Sequence, residues 1–285
     1  MRILLTNDDG IRAPGIVALF QALTDSRGTL GGPLRAPNGT RAEVFPVAPL
    51  TVQSATSHGV TFHEPIMVRE VEAAETMRGV AVDARPADCV KLAISSIWPE
   101  RFGTDDDGLP SRPDLVISGL NSGANCGVNV IYSGTVAAAL EGAFLGVPSI
   151  AVSLMIRAGE PDFDTAALHA RRVIEQILAA APLRRHECLN VNIPPIELDN
   201  PVRDRPLPVV VCPMNTHGLV DAYERRVSPS GGVYYWASGD GLDFHATDPG
   251  TDVHGLFDRK ITITPLQYDL TRHPDIERWR TALGE

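Results

Sequence analysis

Residues 2–10 read RILLTNDDG. Ile3, Leu4 and Leu5 make a short apolar run of the kind that fills a fully buried strand, and Asn7, Asp8, Asp9 and Gly10 follow as a turn. In a parallel sheet, ligands bind beyond the carboxyl ends of the strands, where this turn would fall. Two adjacent carboxylates there repel each other unless one is protonated or a cation sits between them. A divalent metal ion is the simplest reason to keep both ionised. Asn, Asp and Gly are also ordinary turn formers, so the stretch by itself leaves a plain turn and a ligand site both open.

Outward from the turn, residues 11–25 place Ile16, Leu19, Phe20 and Leu23 at helical spacing, with Pro14 near the start. The first unit is therefore strand, acidic turn, helix. Residues 26–42 are rich in Gly, Pro and Arg and read as a surface loop without regular structure. EVFPVAP at 43–49 is a second strand, ending in a polar loop at 50–59 that holds Ser54, Ser57 and His58. Residues 60–82 alternate weakly and predict peripheral strands. Residues 87–98 predict a helix with Val90, Ala93, Ile94 and Ile97 on one face. DLVIS at 114–118 is a third buried strand, followed by a Gly- and Asn-rich loop at 119–129. A helix over 135–145, stopped by Gly146 and Pro148, a strand over 149–154 and a helix over 164–181 come next. Short strands are expected at 188–193 and 209–212. Strands alternating with helices imply βαβ units and an α/β fold around a parallel sheet. Residues 221–264 change character, with Tyr234, Tyr235 and Trp236 beside a hairpin turn at Ser230-Gly231-Gly232, and predict a helix-poor extension.

The totals narrow the classes. A chain of 285 residues is long enough for one large domain or two small ones. A net charge of −10 argues against a nucleic-acid binder, which needs a basic face. It leaves room for a small phosphorylated substrate, because one metal ion reverses the local sign. Cys89, Cys126, Cys188 and Cys212 are widely spaced and form no zinc-like cluster, which predicts unreactive thiols in a reducing compartment. With no signal-peptide pattern at the start and no apolar window of about 18 residues, a soluble cytoplasmic protein is expected.

Three loops follow predicted strands and would open on one sheet edge: 7–10, 50–59 and 119–135. The third carries Gly119, Gly123, Gly127 and Gly134 with Asn121, Asn125 and Asn129, residues that let a backbone approach a ligand and offer carbonyl oxygens to a hard cation. Ser133-Gly134-Thr135 then opens a helix, whose free N–H groups suit a phosphate. Ser133 or Thr135 is also the expected N-cap. No Walker A loop is present, and no G-x-G-x-x-G, so a dinucleotide-dependent oxidoreductase loses its main signature and stays only as a third reading. His58 and His63 make a poor metal pair, and Asp105-Asp106-Asp107 lacks the later ligands of a calcium loop. The oxygen donors Asp8, Asp9, Ser54 and Asn121 favour magnesium or manganese over zinc. A hard cation beside a phosphate-binding helix start points to hydrolysis of a phosphate monoester.

These stretches resemble the SurE family of survival-protein nucleotidases: RILLTNDDGIRAPGI, VFPVAPLTVQSATSH, DCVKLAI, DLVISGLNSGANCGVNVIYSGTVAAALEG with VPSIAVS, NVNIP, YYW and GTDVHGLFDRKITITPLQYDLT. The resemblance implies a Rossmann-like three-layer α/β/α core with a mostly parallel sheet over 1–220. It also implies a β-hairpin extension and a C-terminal exchange segment returning to the core over 221–285, used in homodimers or homotetramers. The implied activity is metal-dependent hydrolysis of nucleoside 5′- and 3′-monophosphates, sometimes of short polyphosphate, with one divalent ion per subunit. The implied metal ligands are Asp8, Asp9, Ser54 and Asn121, with Ser57 as the competitor for the serine position. Asp8, Asp9 and Asn121 are then the catalytic set, and Asn125, Ser133, Gly134 and Thr135 the phosphate-binding set. Water activated by the cation is the expected nucleophile, and direct attack by Asp8 the alternative. A non-catalytic nucleotide- or anion-binding stress protein is the competing class. Departures from the family pattern are a long 26–42 loop, Arg85 where glycine is usual, and a loose match over 209–218.

Overall fold

A computed structural model describes residues 1–157, 159–199, 205–218, 222–238, 244 and 246–285. In chain order the elements are β1 (Arg2–Thr6), α1 (Pro14–Thr24), β2 (Glu43–Pro49), β3 (Val68–Ala74), β4 (Met77–Val82), α2 (Pro86–Leu92), α3 (Trp98–Phe102) and β5 (Leu115–Ser122). Then come α4 (Gly134–Phe144), β6 (Ser149–Leu154), α5 (Phe163–Ala180), β7 (Cys188–Ile193), β8 (Val209–Val211), β9 (Ala222–Val227), β10 (Val233–Ser238), α6 (Asp252–Phe257), β11 (Ile261–Leu266) and α7 (Ile276–Leu283).

Among the described residues, nine strands form one sheet in the order β3-β4-β2-β1-β5-β6-β7-β11-β8. The run from β4 to β7 is parallel throughout. β1 lies inside it, which is why its residues are apolar on both faces. Period-2 alternation sends Ile3 and Leu5 into the layer with α1 and α5, and Leu4 into the layer with Trp98, Val90 and Ala138. The result is a Rossmann-like α/β/α sandwich, as expected.

Several expectations change. β4 is an inner strand, parallel to β2, and only β3 is an antiparallel edge. The helix expected to end at Trp98 runs on to Phe102. Pro99 cannot donate a backbone hydrogen bond, and a wider turn over Ala93–Ile97 takes up the mismatch, with Trp98 N–H bonding back to the Ala93 carbonyl. β5 continues past residue 118 to Ser122 through a bulge, so Asn121 sits on a strand end and not in a loop. The 26–42 segment is pinned: Asp25 ends α1 in a left-handed turn and its carboxylate accepts N–H groups from Thr29, Leu30 and Gly32. Arg171 on α5 donates to the Ala22 and Gly32 carbonyls, and Leu34 is fully buried.

β11 belongs to the central sheet, antiparallel to β7 and parallel to β8. β9 and β10 form a separate two-stranded sheet whose residues are all exposed. The expected boundary at 220 and 221 lies outside the described residues. No residue of α7 is buried. Among the described residues, no helix is long and apolar enough to cross a membrane.

Candidate metal and phosphate site

The turn after β1 does what the sequence requires of it. Asn7 is fully buried and its amide donates to the Gly10 carbonyl at 2.9 Å, while Gly10 turns the chain at φ 97°. Asp8 and Asp9, which a straight strand would point to opposite faces, thereby line one pocket of about 480 Å³. Ser54, Asn121, Asn125, Asn129, Tyr132, Ser133 and Ile156 also line it. Three loops far apart in sequence therefore meet at the carboxyl edge of β1, β2 and β5.

Asp8 is only 6% exposed. Burial pushes its carboxyl up to about 6; the Thr135 hydroxyl bond opposes the rise and the neighbouring Asp9 charge adds to it. Asp9 is also raised, again by burial, and the Ser122 N–H at 2.9 Å works against that. Asn121 spends its NH2 on the Gly123 carbonyl at 2.7 Å, which leaves its side-chain oxygen as the available donor atom. Ser54 lines the pocket, whereas Ser57 has its hydroxyl bonded to the Ile131 carbonyl at 2.7 Å and is absent from the pocket wall.

This donor set fits a hard divalent cation: two carboxylates made uncomfortable by burial and mutual repulsion, plus neutral oxygens. Among the described residues no group of three or more His, Cys, Asp or Glu is placed to hold a metal. The neutral oxygens of Ser54 and Asn121 are thus needed to complete a site. His58 faces Glu141 instead, at 2.8 Å. Asp105 caps its own turn through the Asp107 and Leu109 N–H groups, as expected of a solvated loop.

The phosphate-binding set divides. Asn125 and Ser133 line the pocket. Ser133 also caps α4, accepting from Val136 N–H at 3.0 Å. Gly134 and Thr135 do not line it. Thr135 is fully buried, and its hydroxyl and backbone N–H are both directed at the Asp8 carboxylate. The positive end of α4 thus serves the protein's own anion first. Gly134 permits this contact, since a Cβ there would lie 2.9 Å from the Asp8 Cβ and 3.0 Å from its Oδ2.

Some supporting residues escape sequence reasoning. Asn125 donates its side-chain amide to Ser153 at 2.8 Å, and its backbone carbonyl accepts from both Asn190 and Asn192 on β7, each fully buried. The signal was available: asparagines at alternate positions of a buried strand need partners on one face. Asp252 of α6, fully buried, accepts the Gly127 and Asn215 N–H groups and ties the third loop to the C-terminal region. All four cysteines are free and buried, and burial raises each thiol, Cys188 to about 12.

A Rossmann-like sandwich with an acidic, oxygen-lined pocket on the carboxyl edge of its parallel strands defines the class. Within it, the family described as survival protein SurE matches residues 3–215. The chain is 41% identical over 279 residues to the 5′-nucleotidase SurE of Desulforudis audaxviator, covering 97% of this chain and 95% of that one. It is 40% identical over 277 residues to the 5′-nucleotidase SurE of Rhodopirellula baltica, covering 95% and 94%. The crystal structure of the SurE protein from Aquifex aeolicus aligns with a TM-score of 0.74 at 29% identity, over 99% of this chain and 100% of that one. This chain belongs to the SurE family.

Proposed function

We propose that the chain is a phosphoric monoester hydrolase acting on nucleoside monophosphates, at both the 5′ and 3′ positions, with short polyphosphate as a further substrate class. The observation that carries this reading is the convergence of Asp8, Asp9, Ser54 and Asn121 on one pocket that also presents Asn125 and Ser133. Relatives named 5′-nucleotidase over nearly the whole chain support it.

Asp8, Asp9, Ser54 and Asn121 would hold one magnesium or manganese ion. Such an ion, when bound, polarises a phosphoryl oxygen and makes a water more acidic. The chain's own groups do the rest. Thr135 and the start of α4 fix the Asp8 carboxylate, and Ser122 fixes Asp9. Asn125, already oriented by Ser153 and Asn192, keeps a second amide hydrogen for a phosphate oxygen. Ser133 faces the same space. Tyr132 and Ile156 provide an apolar wall for the nucleoside. A carboxylate held on two sides suits a ligand of fixed orientation, so water is favoured as nucleophile over Asp8.

Two measurements test this. Protein stripped with a chelator should release no phosphate from nucleoside 5′- or 3′-monophosphates, and added magnesium or manganese should restore release; turnover by the stripped protein sinks the reading, and binding without turnover in either metal favours the non-catalytic class. Single turnover in heavy-oxygen water should label the phosphate and leave the Asp8 peptide unlabelled. Label in that peptide makes Asp8 the nucleophile.

The hairpin of β9 and β10 leaves Tyr223, Tyr235 and Trp236 at least 62% exposed, which favours a homo-oligomer that covers them. Light scattering of a chain lacking 221–250 should give a smaller assembly than the full chain; an unchanged mass counts against that use of the hairpin. Free buried thiols accord with a cytoplasmic location.

A further inference from the structure

The loop carrying Ser54 is fastened at three points. Gln53 donates its N–H to the Asp8 carbonyl at 2.7 Å. Ser57 donates its N–H to the Tyr132 carbonyl at 3.1 Å and its hydroxyl to the Ile131 carbonyl at 2.7 Å. His58 donates from Nε2 to Glu141 Oε2 at 2.8 Å. Ser54 lies between these points and is itself exposed. Ala55 and Ser57 are held at φ 55° and 53°, a left-handed conformation that non-glycine residues keep only where their surroundings compel it. Without its fastenings the loop would relax.

Glu141 is an odd residue for its place. It lies on α4 among Ala137, Ala138, Leu140, Gly142 and Ala143, and it is 4% exposed. Its other carboxylate oxygen is 3.5 Å from Lys91 Nζ, a distance at which no hydrogen bond forms here. A buried carboxylate is weak evidence for stability, because packing apolar groups in its place often serves the fold equally well. What Glu141 does reach is the second loop, through His58. α4 therefore touches the site twice: Thr135 at its start holds Asp8, and Glu141 further along holds the segment bearing Ser54.

We propose that Glu141 is a positioning residue that acts through His58 to keep Ser54 at the cation site. This rests on the ligand set proposed above. The bland alternative is an ion pair that merely joins α2, α4 and a loop.

Manganese binding to the chelator-stripped full chain, followed by electron paramagnetic resonance of the free ion, separates the two. His58→Ala should weaken manganese affinity about 10-fold, as loss of an outer-shell partner typically does. His58→Gln, whose amide can still donate to Glu141, should recover most of that loss. In a Ser54→Ala background, His58→Ala should add nothing, because it acts through Ser54. Should His58→Ala fold poorly with Glu141 left only its 3.5 Å ion pair to Lys91, the double variant His58→Ala/Glu141→Gln removes the buried charge and should show the same weakening. Wild-type affinity in the His58 variants, with Ser54→Ala weakened, overturns this inference alone. So does a Ser54→Ala/His58→Ala loss that multiplies the two single losses. Absence of stoichiometric manganese binding by the wild type overturns the ligand set itself, and this inference with it.

Discussion

Asp8→Asn should abolish turnover and at the same time stabilise the metal-free protein at neutral pH. The first effect follows from losing a charged member of the proposed ligand set, a loss of several kcal/mol in the transition state, or on the order of 10³-fold in rate. The second follows from burial. In the metal-free fold the Asp8 carboxyl is raised to about 6 from an ordinary 3.8. Between those values the folded state binds more protons than the unfolded chain, so stability falls as pH rises through that window. The full difference corresponds to roughly 3 kcal/mol at neutral pH. Asparagine keeps an oxygen for the Thr135 hydroxyl and carries no charge, so it escapes the penalty. Thermal melts in chelator should place Asp8→Asn several degrees above wild type at pH 7.5, with the gap closing near pH 4. The same proton competes with the cation, so manganese affinity of the wild type should fall as pH drops through about 6. Melts in which Asp8→Asn is equal to or less stable than wild type at pH 7.5 contradict the assigned burial cost.

Gly15→Ala should cost more stability than any propensity gain returns. Alanine is favoured over glycine within a helix by roughly 1 kcal/mol. A Cβ on Gly15, however, would lie 2.0 Å from the Leu120 carbonyl oxygen, with the Leu120 carbonyl carbon at 3.0 Å. Both are backbone atoms of a buried strand, so α1 must lift from the sheet. Overpacking of this kind costs about 1–3 kcal/mol or more, and the clash here belongs at the upper end. Leu120 immediately precedes Asn121, so the strain is passed to a proposed ligand. A lower melting temperature together with weaker manganese binding is the expected pair of results, from calorimetry and titration. A melting temperature at or above wild type would show that the sheet end yields more easily than the packing implies.

Much of this architecture is legible in the residues. β1, β2, β5 and β6 are mostly apolar runs because parallel strands are covered on both faces. α1 and α5 show their buried stripe at helical spacing. The three site loops were recognisable because each follows such a run. What could not be read has physical causes. β11 looks like any short polar–apolar strand, and only the open side of β7 decides that it closes the sheet. The end of β5 contains Gly119 and Asn121, residues of loop chemistry, and a bulge keeps them paired with β6. Thr135 at a helix start predicts an outside anion; nothing local reveals that Asp8, distant in sequence, takes that place. Asp25 organises the start of 26–42 locally, through one left-handed residue whose carboxylate accepts N–H groups from Thr29, Leu30 and Gly32.

β1 sits between β2 and β5, and each of the three strands ends in a loop that contributes to the pocket. With the proposed ligands at residues 8, 9, 54 and 121, a cation could be grasped only after β1 has acquired both neighbours. The ion then has nothing to hold in a chain that has formed only its local contacts. It should leave the folding rate nearly untouched and slow unfolding instead, since contacts absent from the transition state act on the unfolding step. Manganese above its dissociation constant would in that case lengthen the lifetime of the native state against proteolysis, with a free-energy gain that grows as the logarithm of ion concentration. The proposed ion would double as a clasp, closing only on a chain whose central strands have found their correct order.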